Sequence, residues 1–219
     1  MKCTRTMIAT ILAGLGFFFS ALACAAEPAG TGHSLQLVKS SRTLVMDDFL
    51  KPELPNRRLT RGEWRVADGI AACTQDEELF KKYNNHGPAI WYDQSFQDAV
   101  IRFELQPSQD CSQFVFTVNG KEGHVFRFVM NGNGTDVRAW SADHKPKQVA
   151  KNGPPLVPNV WTPITVELVG SRACVHIGDK YQVAVDDASY LSPKTVVGVS
   201  FHHGALKLRN FELSEVAIK

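Results

Sequence analysis

The chain has 219 residues, a formal net charge of +2, 44% hydrophobic and 21% charged residues, and 13 phenylalanines. This balance excludes a charge-rich disordered chain and supplies enough apolar side chains for one domain-sized core. No dense basic run of the kind that follows a phosphate backbone occurs, which excludes DNA and RNA as expected partners.

Residues 1–26 read as an export signal. Lys2 and Arg5 precede an apolar run over residues 7–22, and Ala23, Cys24, Ala25 and Ala26 supply small residues for cleavage. The run is short for a membrane span and polar sequence follows it at once. The expectation is export to the periplasm or the extracellular space, with no transmembrane segment in the mature chain. Lipid anchoring at Cys24 is the weaker reading, because Ala21 and Leu22 fit a lipoprotein box poorly. Residues 27–42 read as a flexible leader, and residues 43–219 as one domain.

That domain reads as all-β. Alternating segments are expected at residues 43–49, 63–67, 70–74, 89–92, 99–105, 113–118 and 124–130. Others are expected at 136–140, 161–169, 173–177, 181–185, 196–201 and 206–216. Asp68-Gly69 and Gly178-Asp179 mark tight hairpins, and Asn131-Gly132-Asn133-Gly134 a wider turn. Residues 76–83 have room for one helical turn. So many short strands predict a two-sheet antiparallel jelly-roll sandwich.

Ala99, Ile101, Phe103 and Leu105 share one strand face, leaving Arg102 and Glu104 on the other. Residues 84–127 gather histidine, arginine and carboxylate groups on or beside core strands, where such groups are costly unless satisfied. His86, His124, Arg127 and Glu104 are the catalytic candidates. The histidines suit acid and base roles, or a metal beside Glu104 or Glu122. Arg102, Asn119, Arg138 and Trp140 are the substrate-binding candidates, with Trp91 and Tyr92 as further stacking surfaces. Each has a plainer role: His86 bonding a loop, His124 capping a strand, Arg127 in an ion pair. Asp47-Asp48 and Asp186-Asp187 are oxygen-rich pairs that read as turns before calcium ligands. No cofactor is required, a divalent cation is compatible, and the identity of any metal is open. Cys73, Cys111 and Cys174 allow one disulfide, but three buried small hydrophobes are the favoured reading.

The chain resembles the secreted 3-keto-disaccharide hydrolase-like domains of the concanavalin A-like lectin/glucanase superfamily, also called family 16 glycoside hydrolase-like. The resemblance rests on Asp47-Asp48-Phe49, Gly62-Glu63-Trp64, His86-Gly87-Pro88, residues 96–103, residues 119–127 and Trp161-Thr162-Pro163, in that order. It implies a jelly roll and an extracytoplasmic, saccharide-related role. The chain lacks the glucanase strand whose alternating carboxylates face one groove. Its nearest segment, Glu212 to Glu215, has a spacing of three, which puts the two carboxylates on opposite faces. Two functions stay open: a hydrolase or lyase acting on 3-keto-glycosides, and a non-catalytic saccharide-binding module. A surface adhesion domain is a third and weaker reading.

Overall fold

A computed structural model describes residues 37–140 and 145–218. The expected signal and most of the expected leader lie outside these residues. Strand β1 (Val38–Asp47) begins five residues before the expected domain start. The strands that follow are β2 (Arg57–Thr60), β3 (Arg65–Ala67), β4 (Ile70–Thr74), β5 (Ala89–Phe96), β6 (Ala99–Pro107), β7 (Gln113–Gly120) and β8 (Gly123–Asn131). The remainder are β9 (Gly134–Trp140), β10 (Pro146–Gly153), β11 (Thr162–Val169), β12 (Arg172–Ile177), β13 (Tyr181–Asp186), β14 (Lys194–His202) and β15 (Ala205–Ile218). Helix α1 (Glu77–Lys82) is the expected single turn, capped by the Asp76 side chain.

The strands form two antiparallel sheets. The eight-stranded sheet runs β13-β12-β11-β6-β15-β4-β3, with β1 also paired to β15; the seven-stranded sheet runs β10-β9-β8-β7-β14-β5-β2. The long β15 makes this possible, since one of its edges pairs with β4 over residues 205–208 and with β1 over residues 211–218. Between those stretches Asn210 takes a φ of 56° and the register to β6 shifts.

The two inner faces meet through aromatic rings. Between the sheets Tyr92 stacks on Phe211 at 3.8 Å and Phe103 on Phe116 at 5.6 Å, and within the seven-stranded sheet Phe116 stacks on Phe128 at 5.2 Å. Tyr92 is only 1% exposed, so it belongs to the core and offers no sugar-stacking face. Asp47 is a buried clasp and not the exposed turn residue that the sequence suggests. It accepts from Arg57 at 2.8 Å and from the Tyr92 hydroxyl at 2.8 Å. Trp64 packs against the core, and Trp161 lies under the Arg209 guanidinium at 4.3 Å. Cys73, Cys111 and Cys174 are free and buried, with no disulfide among them.

Candidate functional site

The outward face of the seven-stranded sheet carries a continuous row of side chains. Cross-strand register places Arg58, Trp91, Gly198, Thr117, Arg127, Arg138 and Gln148 side by side across all seven strands. Trp91 lies flat over Gly198, where a Cβ would overlap its ring.

A register shift between Val118 and Asn119 gives this face its histidine. Thr117 pairs with Arg127 and Val118 with Phe126, but Asn119 pairs with His124, so Val125 is an extra residue. His124 and Arg127 are three apart and would point to opposite faces of a regular strand. The bulge turns His124 onto the face of Arg127.

The resulting contacts form a closed set. The His124 Nδ1–H donates to Asn119 Oδ1 at 2.8 Å, since that oxygen can only accept. This leaves Nε2 as an acceptor, and Arg127 Nη2 donates to it at 2.8 Å. Arg127 Nε donates to Thr117 Oγ1 at 3.2 Å. The guanidinium carbon sits 5.1 Å from the Trp140 ring centre, and the His124 ring meets Trp140 edge-on at 5.0 Å. Burial first, and the Arg127 charge second, push the His124 pKa down from 6.5 to about 4. Burial and the neighbouring Arg138 also lower the Arg127 pKa. Arg138 faces Asp136 at 3.5 Å.

This cluster borders a cavity of about 880 Å³ at the β7–β8 hairpin end of the sheet. Its wall includes Lys121, Glu122, His124, Trp140, Asp187 and Ser189. The volume lies within the roughly 300–1,000 Å³ usual for small-ligand sites. Asp187 and Ser189 reach the wall because a buried lysine holds their segment. Lys194, 1% exposed, donates to Tyr190 O at 2.5 Å and Gln97 O at 2.6 Å. It thereby ties the 3-10 turn Ala188–Leu191 to β14. Nothing in the sequence reading pointed to Lys194; its signal is a lysine opening the apolar run Val196 to Val199.

The structure brings together His124, Arg127, Asn119, Arg138 and Trp140. It does not bring Glu104, Arg102 or His86 to them. Glu104 and Arg102 lie on β6, in the other sheet. Glu104 accepts from Arg209 at 2.7 Å and Asn210 at 2.8 Å, and so anchors the irregular point of β15. Arg102 faces Glu212 at 3.6 Å. His86 is exposed and donates from Nδ1 to Tyr83 O at 2.9 Å, closing the C-terminal end of α1. It precedes Ala89, which pairs with Ser200, whereas Asn119 pairs with Val196. His86 and His124 therefore sit toward opposite ends of β14, several residues apart at about 3.4 Å per residue. A metal shared by His86 and His124 beside Glu104 is not assembled. Trp140 is 8% exposed, so it underlies Arg127 and presents little open ring, and the half-buried Trp91 is the more open aromatic surface of the row.

No family model matches the chain, and no curated protein sequence matches it. Solved structures do match in fold. A carbohydrate-binding module from Bacillus subtilis superposes with a TM-score of 0.56 at 11% identity, covering 73% of this chain and 96% of that one. A β-glucanase from Bacillus licheniformis gives 0.59 at 7% identity, covering 80% and 99%. A Bacillus subtilis protein of unknown function with a galectin-like fold gives 0.64 at 11% identity, covering 83% and 100%. The chain thus has the jelly-roll sandwich fold shared by glucanases, galectin-like proteins and carbohydrate-binding modules.

Proposed function

We propose that this is an exported saccharide-binding domain, with its ligand seated in the cavity beside His124, Arg127 and Trp140. One observation carries the reading: the bulged β7–β8 hairpin puts His124 on the cavity wall beside Trp140, with Asn119 and Arg127 bonded to its ring behind that wall. Polar side chains on a cavity wall that also carries the edge of a tryptophan suit sugar hydroxyls and a small apolar patch of a sugar ring. Structures of the same fold include a carbohydrate-binding module and a β-glucanase, which supports a carbohydrate ligand at the level of fold.

Binding is favoured over cleavage because His124 is engaged at both ring nitrogens. Its lone pair is held by a guanidinium and not directed at a substrate proton. The hydrolase or lyase reading on 3-keto-glycosides rests on the same pair. A neutral imidazole next to a guanidinium supplies a base and an oxyanion partner for proton abstraction beside a keto group. It requires Arg127 to release Nε2 when substrate enters.

Titration calorimetry of the purified protein against β-1,3- and β-1,4-gluco-oligosaccharides and 3-keto-glucosides tests both readings. The expected outcome is binding without product release. Arg127→Ala and His124→Ala should each weaken binding at least tenfold, about 1.4 kcal/mol. Turnover of a 3-keto-glucoside that His124→Ala abolishes would establish the enzyme instead. Failure of every probe to bind would remove the saccharide reading.

A further inference from the structure

The opposite sheet carries a second constellation, remote from the saccharide cluster. Glu167 on β11 and Cys174 on β12 are direct cross-strand partners, and His176 follows Cys174 by two residues on the same face. All three point away from the sandwich core, yet they are buried, with exposures of 0%, 0% and 2%. His176 Nε2 lies 3.0 Å from Glu167 Oε1 and 3.4 Å from Cys174 Sγ. All three donor atoms fall within 4.8 Å of one another.

We propose that Glu167, Cys174 and His176 form a zinc(II) site. Zinc binds thiolate at about 2.3 Å and imidazole or carboxylate at about 2.0–2.2 Å, which sets tetrahedral edges of roughly 3.2–3.6 Å between donors. The nitrogen–sulfur and nitrogen–oxygen separations match those edges to within a few tenths of an ångström. A tetrahedral ion takes one further donor beyond these three.

The donor chemistry selects the same ion. A thiolate and an imidazole disfavour calcium and magnesium, and one carboxylate with one thiolate balances a divalent charge inside a buried site. The carboxylate is also oriented in advance. Glu167 Oε2 accepts from the backbone N–H of Leu37 at 2.8 Å and Val38 at 3.3 Å, which directs Oε1 at His176. Outer hydrogen bonds of this kind fix metal ligands and raise their affinity. Burial first, then the Glu167 charge, push the Cys174 thiol up to about 11, so the metal-free thiol is protonated at neutral pH. Coordination displaces that proton to solvent, so the apparent affinity rises with pH. The bound ion would also fasten the start of β1 to β11 and β12 through Glu167.

Chelator-stripped protein is titrated with cobalt(II) chloride and then zinc(II) chloride. The expected result is one cobalt per chain with a thiolate-to-cobalt charge-transfer band and proton release on cobalt binding, followed by displacement of cobalt by one equivalent of zinc with no further proton release. Zinc should slow alkylation of Cys174, mapped by mass spectrometry, at least tenfold in the wild-type protein. The double variant Cys73→Ala/Cys111→Ala should keep the band, Cys174→Ala should lose it, and Glu167→Gln should bind at least tenfold more weakly. A folded wild-type protein with no such band, or zinc that leaves Cys174 alkylation unchanged, overturns the proposal. Because alkylation is read on the wild type, the test survives a variant that does not fold. Either result leaves saccharide binding untouched, since that site lies on the other sheet.

Discussion

At the scale of single residues, His124 carries the strongest chemical constraint. Its Nδ1–H is spent on Asn119 and its lone pair on Arg127, so the folded state holds it neutral. The sign of the pH effect follows. The unfolded chain takes up a proton below the ordinary value of 6.5, while the folded chain does not until about 4. The unfolded state therefore binds more protons across that window, and stability falls as pH falls from about 6.5 to about 4. Partial solvent screening limits the loss to on the order of 2 kcal/mol. Urea denaturation at several pH values should show this slope in the wild type, and His124→Gln should flatten it. The sequence marked His124 and Arg127 as candidates, but strict alternation would have separated them. Nothing local announces that Val125 is the extra residue, because its packing against the core decides where the register slips. His86 and Glu104 were misleading for a related reason. Both are polar groups in a rich stretch, and each is consumed by a nearby structural bond that only tertiary geometry reveals.

At the scale of elements, Gly198 is where β14 makes room for a side chain from its neighbour. The Trp91 ring lies across it, and an added Cβ would overlap the ring. Gly198→Ala should cost about 1–3 kcal/mol through overpacking and displace Trp91, read as a lower urea midpoint with altered tryptophan fluorescence. Most strands were legible because one apolar face alternates clearly, as in β6 with Ala99, Ile101, Phe103 and Leu105. Two were not. In β2, Arg57 and Arg58 hide a strand whose first arginine is buried only because Asp47 and the Lys51 and Pro52 carbonyls receive it. In β10, Lys147 and Lys151 mark a largely exposed edge strand, the place where charge blocks unwanted pairing and erases the alternation signal.

At the scale of the whole molecule, the two sheets are joined by aromatic packing and by a buried ionic clasp. Asp47 ends β1 in the eight-stranded sheet, while Arg57 and Tyr92 belong to the seven-stranded sheet. The Asp47 and Arg57 side chains are 4% and 1% exposed. Removing one partner strands the other charge away from water, so Asp47→Ala should cost about 3–5 kcal/mol in urea denaturation. A loss under 1 kcal/mol would mean that water reaches Arg57. The sandwich itself was readable from the repeated short strands, but the clasp was not. Asp47-Asp48 looks like a turn in the sequence, and only the packing of one sheet on the other buries its first carboxylate.

The proposed sugar site lies beside His124, Arg127 and Trp140, where the hairpin bulge turns His124 onto the outer face. A crystal structure of the protein with its tightest-binding gluco-oligosaccharide tests it most directly. A sugar ring is expected in the cavity beside Trp140, with a hydroxyl within hydrogen-bond distance of Arg127 or Asn119. A saccharide bound on the eight-stranded sheet, or at the His86 end of β14 with this cavity empty, would contradict it.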